Sequence, residues 1–276
     1  MGHSAADLPS IGERHMGCYQ RIIVGTNGSE SAQTAVAVAG EFAVRLDIPV
    51  TAVSVWKDAG RKSGTDAEWA EQATAAAAET LTAAGVPEVS RTELDGAAGA
   101  LLLELAEQEP DTLLVIGGGS LGSSKARLLG STANHVSHHS QTDVVFTSKV
   151  PKRWTTIGLT TDGSASSLTA VRRGYELALA LGARPFLVTS AKTDDDGAEV
   201  LIDVEGQIEV EDPELFGRDV LTGVPAAEAI CNSAWKYDLV VIGNRGMSGP
   251  ARLLGSVANK VTHDIDTNLL LVNTTH

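Results

Sequence analysis

Three features of the 276-residue sequence predict an α/β protein built as two tandem, open, doubly wound parallel sheets of five strands each. The chain repeats itself, short β-branched runs alternate with stretches of helical period, and glycine-rich loops follow the first and fourth strands of each repeat.

The repeat is the strongest of the three. ARLLGSTANHVSH, from Ala126 to His138, returns as ARLLGSVANKVTH, from Ala251 to His263, with ten of thirteen positions identical. The starts correspond too: IIVGTNGSESAQTAV from Ile22 matches IGLTTDGSASSLTAV from Ile157, pairing Asn27 with Asp162. The offset falls from 135 there to 126 at Gly117 and Gly243, so the second copy is about nine residues shorter in its middle. The predicted organisation is a disordered leader over 1–18, set aside from the fold, a first domain over 19–150 and a second over 151–276.

Within the first copy, Gln20 to Thr26 and Pro49 to Trp56 are β-branched runs that read as strands. Between them Ala32, Ala35, Val36, Ala39, Ala43 and Leu46 recur at three and four, one face of a helix. Ala- and Glu-rich Asp66 to Ala84 predicts a second helix, Glu88 to Leu94 a short strand, and Gly96 to Glu107 a third helix. Leu113 to Ile116 is a continuous apolar run, as a parallel strand covered on both faces requires. A helix from Ser131 and a strand from Val144 to Thr147 close the unit. The second copy keeps its first and last thirds. At the place of its second helix stands DDDGAEVLIDVEGQIEVEDPELF, whose Val, Ile and acidic residues read as a loop or extended segment, so this copy is expected to lack a regular second helix.

That same segment dominates the charge. The chain carries 21 Lys and Arg against 35 Asp and Glu, a net −14; ten acidic residues and no basic one lie between Asp194 and Glu214, and without them the balance is −4. Such a run reads as a solvated loop, and the acidic total gives no footprint for DNA or RNA. No apolar run reaches the ~18 residues of a membrane span. Cys18 and Cys231 show no paired spacing, which suits a reducing, cytoplasmic setting.

In open α/β sheets ligands lie beyond the carboxyl ends of strands where the strand order reverses. GTNGS, Gly25 to Ser29, and GGGSLGSSKARLLGS, Gly117 to Ser131, fall at such ends. Glycine lets backbone N–H groups approach an anion, and Gly130-Ser131 opening a helix adds unpaired donors and a positive dipole end. Asn27 or Asp162 can hydrogen-bond a ribose or base edge. The same glycines also serve tight βα turns, and spacing alone leaves both readings open. GGGSLG, Gly117 to Gly122, matches GxGxxG literally but follows the fourth strand, and its counterpart is GNRGMSG, so it is not a dinucleotide fingerprint. No GxxxxGK[ST] is present.

With these residues in view the chain resembles the universal stress protein (UspA) family over essentially all of 19–275, as a tandem pair. The resemblance rests on the βαβαβ order, a first-strand loop of the form DGS, and a fourth-strand signature of Gly, two residues, Gly, nine residues, Gly-Ser, present in both copies with departures. It implies an adenine nucleotide alpha hydrolase-like fold that binds ATP or cAMP between the first and fourth strands, with Mg accompanying ATP, and that pairs through its last strand. It implies nucleotide contacts at Gly25, Asn27, Val55, Gly117, Ser120, Gly130, Ser131 and Thr132 in copy one, and at Asp162, Gly243, Gly246, Gly255 and Ser256 in copy two. The departures differ. Copy one keeps the loop length but has Ser120 for Gly and Asn27 for the acid; copy two keeps the residue types but has eight residues between Gly246 and Gly255. The intact loop length favours copy one.

The expected function is a cytoplasmic, nucleotide-responsive stress regulator with no catalytic residues, and with at most weak ATPase activity or autophosphorylation at Ser131, Thr132 or Ser256. The alternative is a nucleotide-independent scaffold, with one or both sites degenerate, in which the strands at 144–147 and 268–272 join the copies as a pseudo-dimer; either reading allows a further homodimer. No nucleic acid, membrane or metal is expected as a partner. His135, His138 and His139 share one helix face without a third-element ligand, and Trp56, Trp69, Trp154 and Trp235 read as packing residues.

Overall fold

A computed structural model describes residues 18–57, 65–118, 130–208, 216–244 and 254–274. The first copy runs β1 (Arg21–Gly25), α1 (Glu30–Leu46), β2 (Val50–Trp56), α2 (Thr65–Ala84), β3 (Val89–Asp95), α3 (Ala98–Glu107), β4 (Thr112–Gly117), α4 (Ser131–His139) and β5 (Asp143–Thr147). The second runs β6 (Thr156–Thr160), α5 (Ala165–Leu181), β7 (Arg184–Ser190), α6 (Asp194–Ile208), β8 (Gly217–Leu221), α7 (Ala226–Ser233), a 3-10 turn at Ala234–Lys236, β9 (Leu239–Gly243), α8 (Ser256–Asp264) and β10 (Asn268–Val272).

The strands form one ten-stranded sheet in the order β3-β2-β1-β4-β5-β10-β9-β6-β7-β8. Within each half every pairing is parallel; the halves meet where β10 runs antiparallel to β5, with Leu270 opposite Val145. Successive residues of a strand point to opposite faces, and both faces are covered, so the middles of the central strands are apolar, with polar residues at their ends such as Asp143, Thr147 and Asn268. Ile22, Val24, Leu113, Val115, Leu159 and Leu270 pack under α1, α2, α5 and α6. Ile23, Leu114, Ile116, Val144, Val240 and Leu269 pack under α3, α4, α7 and α8.

One expectation is corrected. The described part of the acidic segment, Asp194–Ile208, forms α6, because Gly197, Leu201, Val204 and Ile208 recur at helical spacing and are buried on one face. Thr193 starts it by accepting a hydrogen bond at Oγ1 from the Asp196 N–H, 3.1 Å, and Asp194 to Asp196 sit in the first turn where the helix dipole favours negative charge. The shortening of the second copy shows partly as a fifteen-residue α6 against a twenty-residue α2.

The junction of the halves has its own chemistry. Asp143 accepts the Asn273 N–H at Oδ1, 2.8 Å, and the Tyr19 hydroxyl at Oδ2, 2.8 Å, with Arg173 Nε at 3.5 Å. At the other end Asn268 Oδ1 accepts the Ser148 N–H, 2.8 Å, and its Nδ2 donates to the Asp238 carbonyl, 2.8 Å. Arg173 also pairs with Asp111, 3.0 Å, and donates to the Cys18 carbonyl. Cys18, assigned by sequence to the leader, is thus described and buried, and burial followed by nearby Glu176 pushes its thiol up to about 12. Burial and the adjacent Asp143 push the Tyr19 phenol well up as well.

Candidate functional site

The strand order reverses between β1 and β4 in one half and between β6 and β9 in the other, and a cleft opens at each reversal. The copy-one cleft brings together Gly25, Asn27, Val55, Gly117, Gly130, Ser131 and Thr132. The copy-two cleft brings together Asp162, Gly243, Gly255 and Ser256. The remaining expected contacts, Ser120 and Gly246, lie outside the described residues.

Each cleft is built by two turns. After β1 the chain turns through Gly28 at φ +71°, and after β6 through Gly163 at φ +77°, a left-handed conformation that disfavours side chains. Asn27 Oδ1 and Asp162 Oδ1 each accept the N–H two residues on, from Ser29 and Ser164, both at 3.1 Å. Ser29 and Ser164 then cap α1 and α5. Gly117 is fixed by packing: a Cβ there would lie 2.8 Å from the Ser31 carbonyl oxygen.

The opposite wall differs in kind. α4 and α8 begin at Gly130 and Gly255, which supply no side-chain cap, and neither helix carries an acid in its first turn. Backbone donors and the positive dipole end therefore face the cleft without internal compensation. The two N-caps have nearly the same geometry, φ −57° and ψ 159° against φ −57° and ψ 148°. Among the described residues a Cβ on Gly130 meets nothing within 4 Å, so this glycine leaves open space beside the donors.

The remaining lining is shared in part: Thr26, Ser31, Val53 and Ile116 in copy one are matched by Thr161, Ser166, Val188 and Ile242 in copy two. The copies differ in that copy one adds Leu102 and Trp69, and copy two adds hydroxyls from Thr160, Ser164, Ser167 and Ser190 beside Ile230. None of the described wall residues in either cleft is Lys, Arg, His or Cys. The packing reading holds for Trp154, which is buried against Phe42 at 5.0 Å between ring centroids. It fails for Trp69 and Trp235, which are 40% and 78% exposed. Trp69 was missed as a cleft residue because α2 is joined to the cleft only by the fold.

The histidines sit elsewhere. His138 on α4 faces His263 on α8, ring centroids 6.2 Å apart, where the halves meet. Burial, then His263 and His139, lowers the pKa of His138. Among the described residues no group of three or more His, Cys, Asp or Glu is placed to hold a metal. Among them, too, no helix is long and apolar enough to cross a membrane.

Comparison with known proteins agrees with this architecture. The universal stress protein family model matches residues 18–148 and again 153–273. A universal stress protein of Mycobacterium tuberculosis is 32% identical over 143 residues, covering 47% of this chain and 97% of the relative. Among solved structures, a universal stress protein from Archaeoglobus fulgidus aligns with a TM-score of 0.75 at 17% identity, covering 92% of this chain and 98% of that one. A functionally unknown protein from Pseudomonas aeruginosa gives 0.69 at 14% identity, covering 92% of each chain. The repeated sheet, the paired turns at each strand reversal and the double family match have one explanation: the chain belongs to the universal stress protein family, as a tandem of two copies.

Proposed function

We propose that the chain is an adenine-nucleotide-binding regulatory module, taking ATP or cAMP in the copy-one cleft. The observation that carries this reading is the uncapped, acid-free N-terminus of α4 opening beside Gly130 into a cleft at the strand reversal. A phosphate there would accept from the first-turn N–H groups, with Ser131 and Thr132 hydroxyls beside it, while Asn27 and Val55 line the far end toward ribose and base. The residues present thus suit a nucleotide, while Mg has no carboxylate cluster among the described residues to receive it.

Calorimetry with ATP, ADP, AMP and cAMP tests the proposal. Binding is expected, and Gly130→Ala should weaken it about tenfold or more, because the added methyl occupies the space a phosphate needs, while the fold tolerates it. No heat at millimolar nucleotide would sink the reading. A second reading, a nucleotide-independent scaffold, is favoured by the Asp143 and Asn268 contacts, which join the halves without any ligand. Partner recovery insensitive to Gly130→Ala, from protein that binds no nucleotide, would support it.

A further inference from the structure

Resting on that reading, we infer that Trp69 is the base-stacking wall of the copy-one cleft, and that its replacement by a carboxylate in copy two confines aromatic-base binding to copy one. The two second helices can be aligned by what they touch. A Cβ built on Gly28 would meet Ala73 on α2 at 3.9 Å, and one built on Gly163 would meet Val200 on α6 at 3.4 Å. Ala73 and Val200 therefore occupy equivalent places against the first loop. One turn earlier on the same helix face stands Trp69 in copy one and Asp196 in copy two.

The second strands differ in the same sense. Ile22 pairs with Val50 and Ile157 with Pro185, so five residues on Val55 is matched by Ser190. Copy one thus lines its cleft with Val53, Val55 and a 40% exposed indole; copy two lines its cleft with Val188 and Ser190, and the helix position of the indole is held by exposed Asp196, which is not among the lining residues. A large aromatic left exposed in a cleft beside apolar residues offers a flat π-face, and stacking on it is favourable for any nucleobase. A carboxylate at that place offers no such face and repels a phosphorylated ligand.

The experiment compares wild type, Trp69→Phe and Trp69→Ala in the full chain, using ATP and base-free tripolyphosphate as probes. Trp69→Ala should weaken ATP about 5- to 150-fold, the equivalent of the ~1–3 kcal/mol lost with a base–aromatic stack. Trp69→Phe should retain most of the affinity, and tripolyphosphate should bind all three proteins alike. ATP should quench tryptophan emission in wild type and not in Trp69→Phe. ATP affinity unchanged in Trp69→Ala overturns the inference and leaves nucleotide binding standing; equal losses for ATP and tripolyphosphate also overturn it, since the indole then only supports the scaffold. No ATP binding by wild type removes both.

Discussion

Asp143 does at one residue what the junction of the two halves requires. It is 7% exposed, and its two oxygens take a backbone N–H from β10's end, a phenol from the chain ahead of β1, and the approach of Arg173 from α5. Its structural counterpart, Asn268, performs the same backbone capture without charge. Removing Asp143 takes away the acceptor of the buried Tyr19 hydroxyl and of the Asn273 N–H, while Arg173 keeps Asp111 and the Cys18 carbonyl, so Asp143→Ala is expected to cost about 3 kcal/mol. Asp143→Asn can keep the Oδ1 acceptor for Asn273 and should cost distinctly less. Urea unfolding of the three proteins measures both, and a loss below ~0.5 kcal/mol for Asp143→Ala would deny the cluster a stabilising role. Nothing in the sequence announces this residue, since its partners Tyr19 and Asn273 lie 124 and 130 positions away. The cleft glycines were legible for the opposite reason: Gly25, Gly117 and Gly130 belong to local turns whose spacing is written along the chain, and the repeat writes most of it twice.

At the scale of the element, α6 shows how composition misleads when periodicity is present. Ten acidic residues in and after the helix drew the eye to solvent, while Leu201, Val204 and Ile208 kept the spacing of a buried face, and Thr193 with Asp196 three residues on carried a start signal. The helices and strands of copy one were read to within two residues because alanine and β-branched content agree there with period. Two glycines inside α6 give a test of opposite signs. A Cβ at Gly197 would fall 2.2 Å from Val220 Cγ1 on β8, so Gly197 is what lets the helix lie close on the sheet. Gly197→Ala should therefore destabilise by about 1–3 kcal/mol through overpacking. Among the described residues Gly206 has nothing within 4 Å of its Cβ position, and Gly206→Ala should stabilise by about 0.5–1 kcal/mol by restricting the unfolded chain. Thermal unfolding of both variants reads the signs directly; a loss at Gly206 or a gain at Gly197 would contradict the packing described for α6.

Across the whole molecule, the antiparallel β5–β10 pairing decides which strands are edges. Each copy alone would end at its fifth strand, with a row of unpaired N–H and C=O groups. Joined, β5 and β10 become the centre of the ten-stranded sheet, all five residues of each are buried, and the outer strands are β3 and β8. Those two carry Arg91, Glu93, Arg218 and Asp219 on partly exposed strands, the charged character that discourages further strand addition. Amide hydrogen exchange follows the free energy of opening, lowest at fraying edges and highest where opening demands global unfolding. The amides of Val144 to Phe146 and Leu269 to Leu271 should therefore exchange among the slowest in the chain, together with those of β1 and β4, and the outward amides of β3 and β8 among the fastest of the strands. Mass-resolved exchange on the intact chain checks the order. If the β5 and β10 peptides exchange as fast as those of β3 and β8, the halves open from one another at low cost, and the junction at Asp143 and Asn268 does not hold them as one sheet. If they are protected to the global limit, the tandem chain has internalised the strand pairing that a single copy would leave exposed, and sequence differences such as Asn27 against Asp162 and Val55 against Ser190 are carried by two clefts of one cooperative unit.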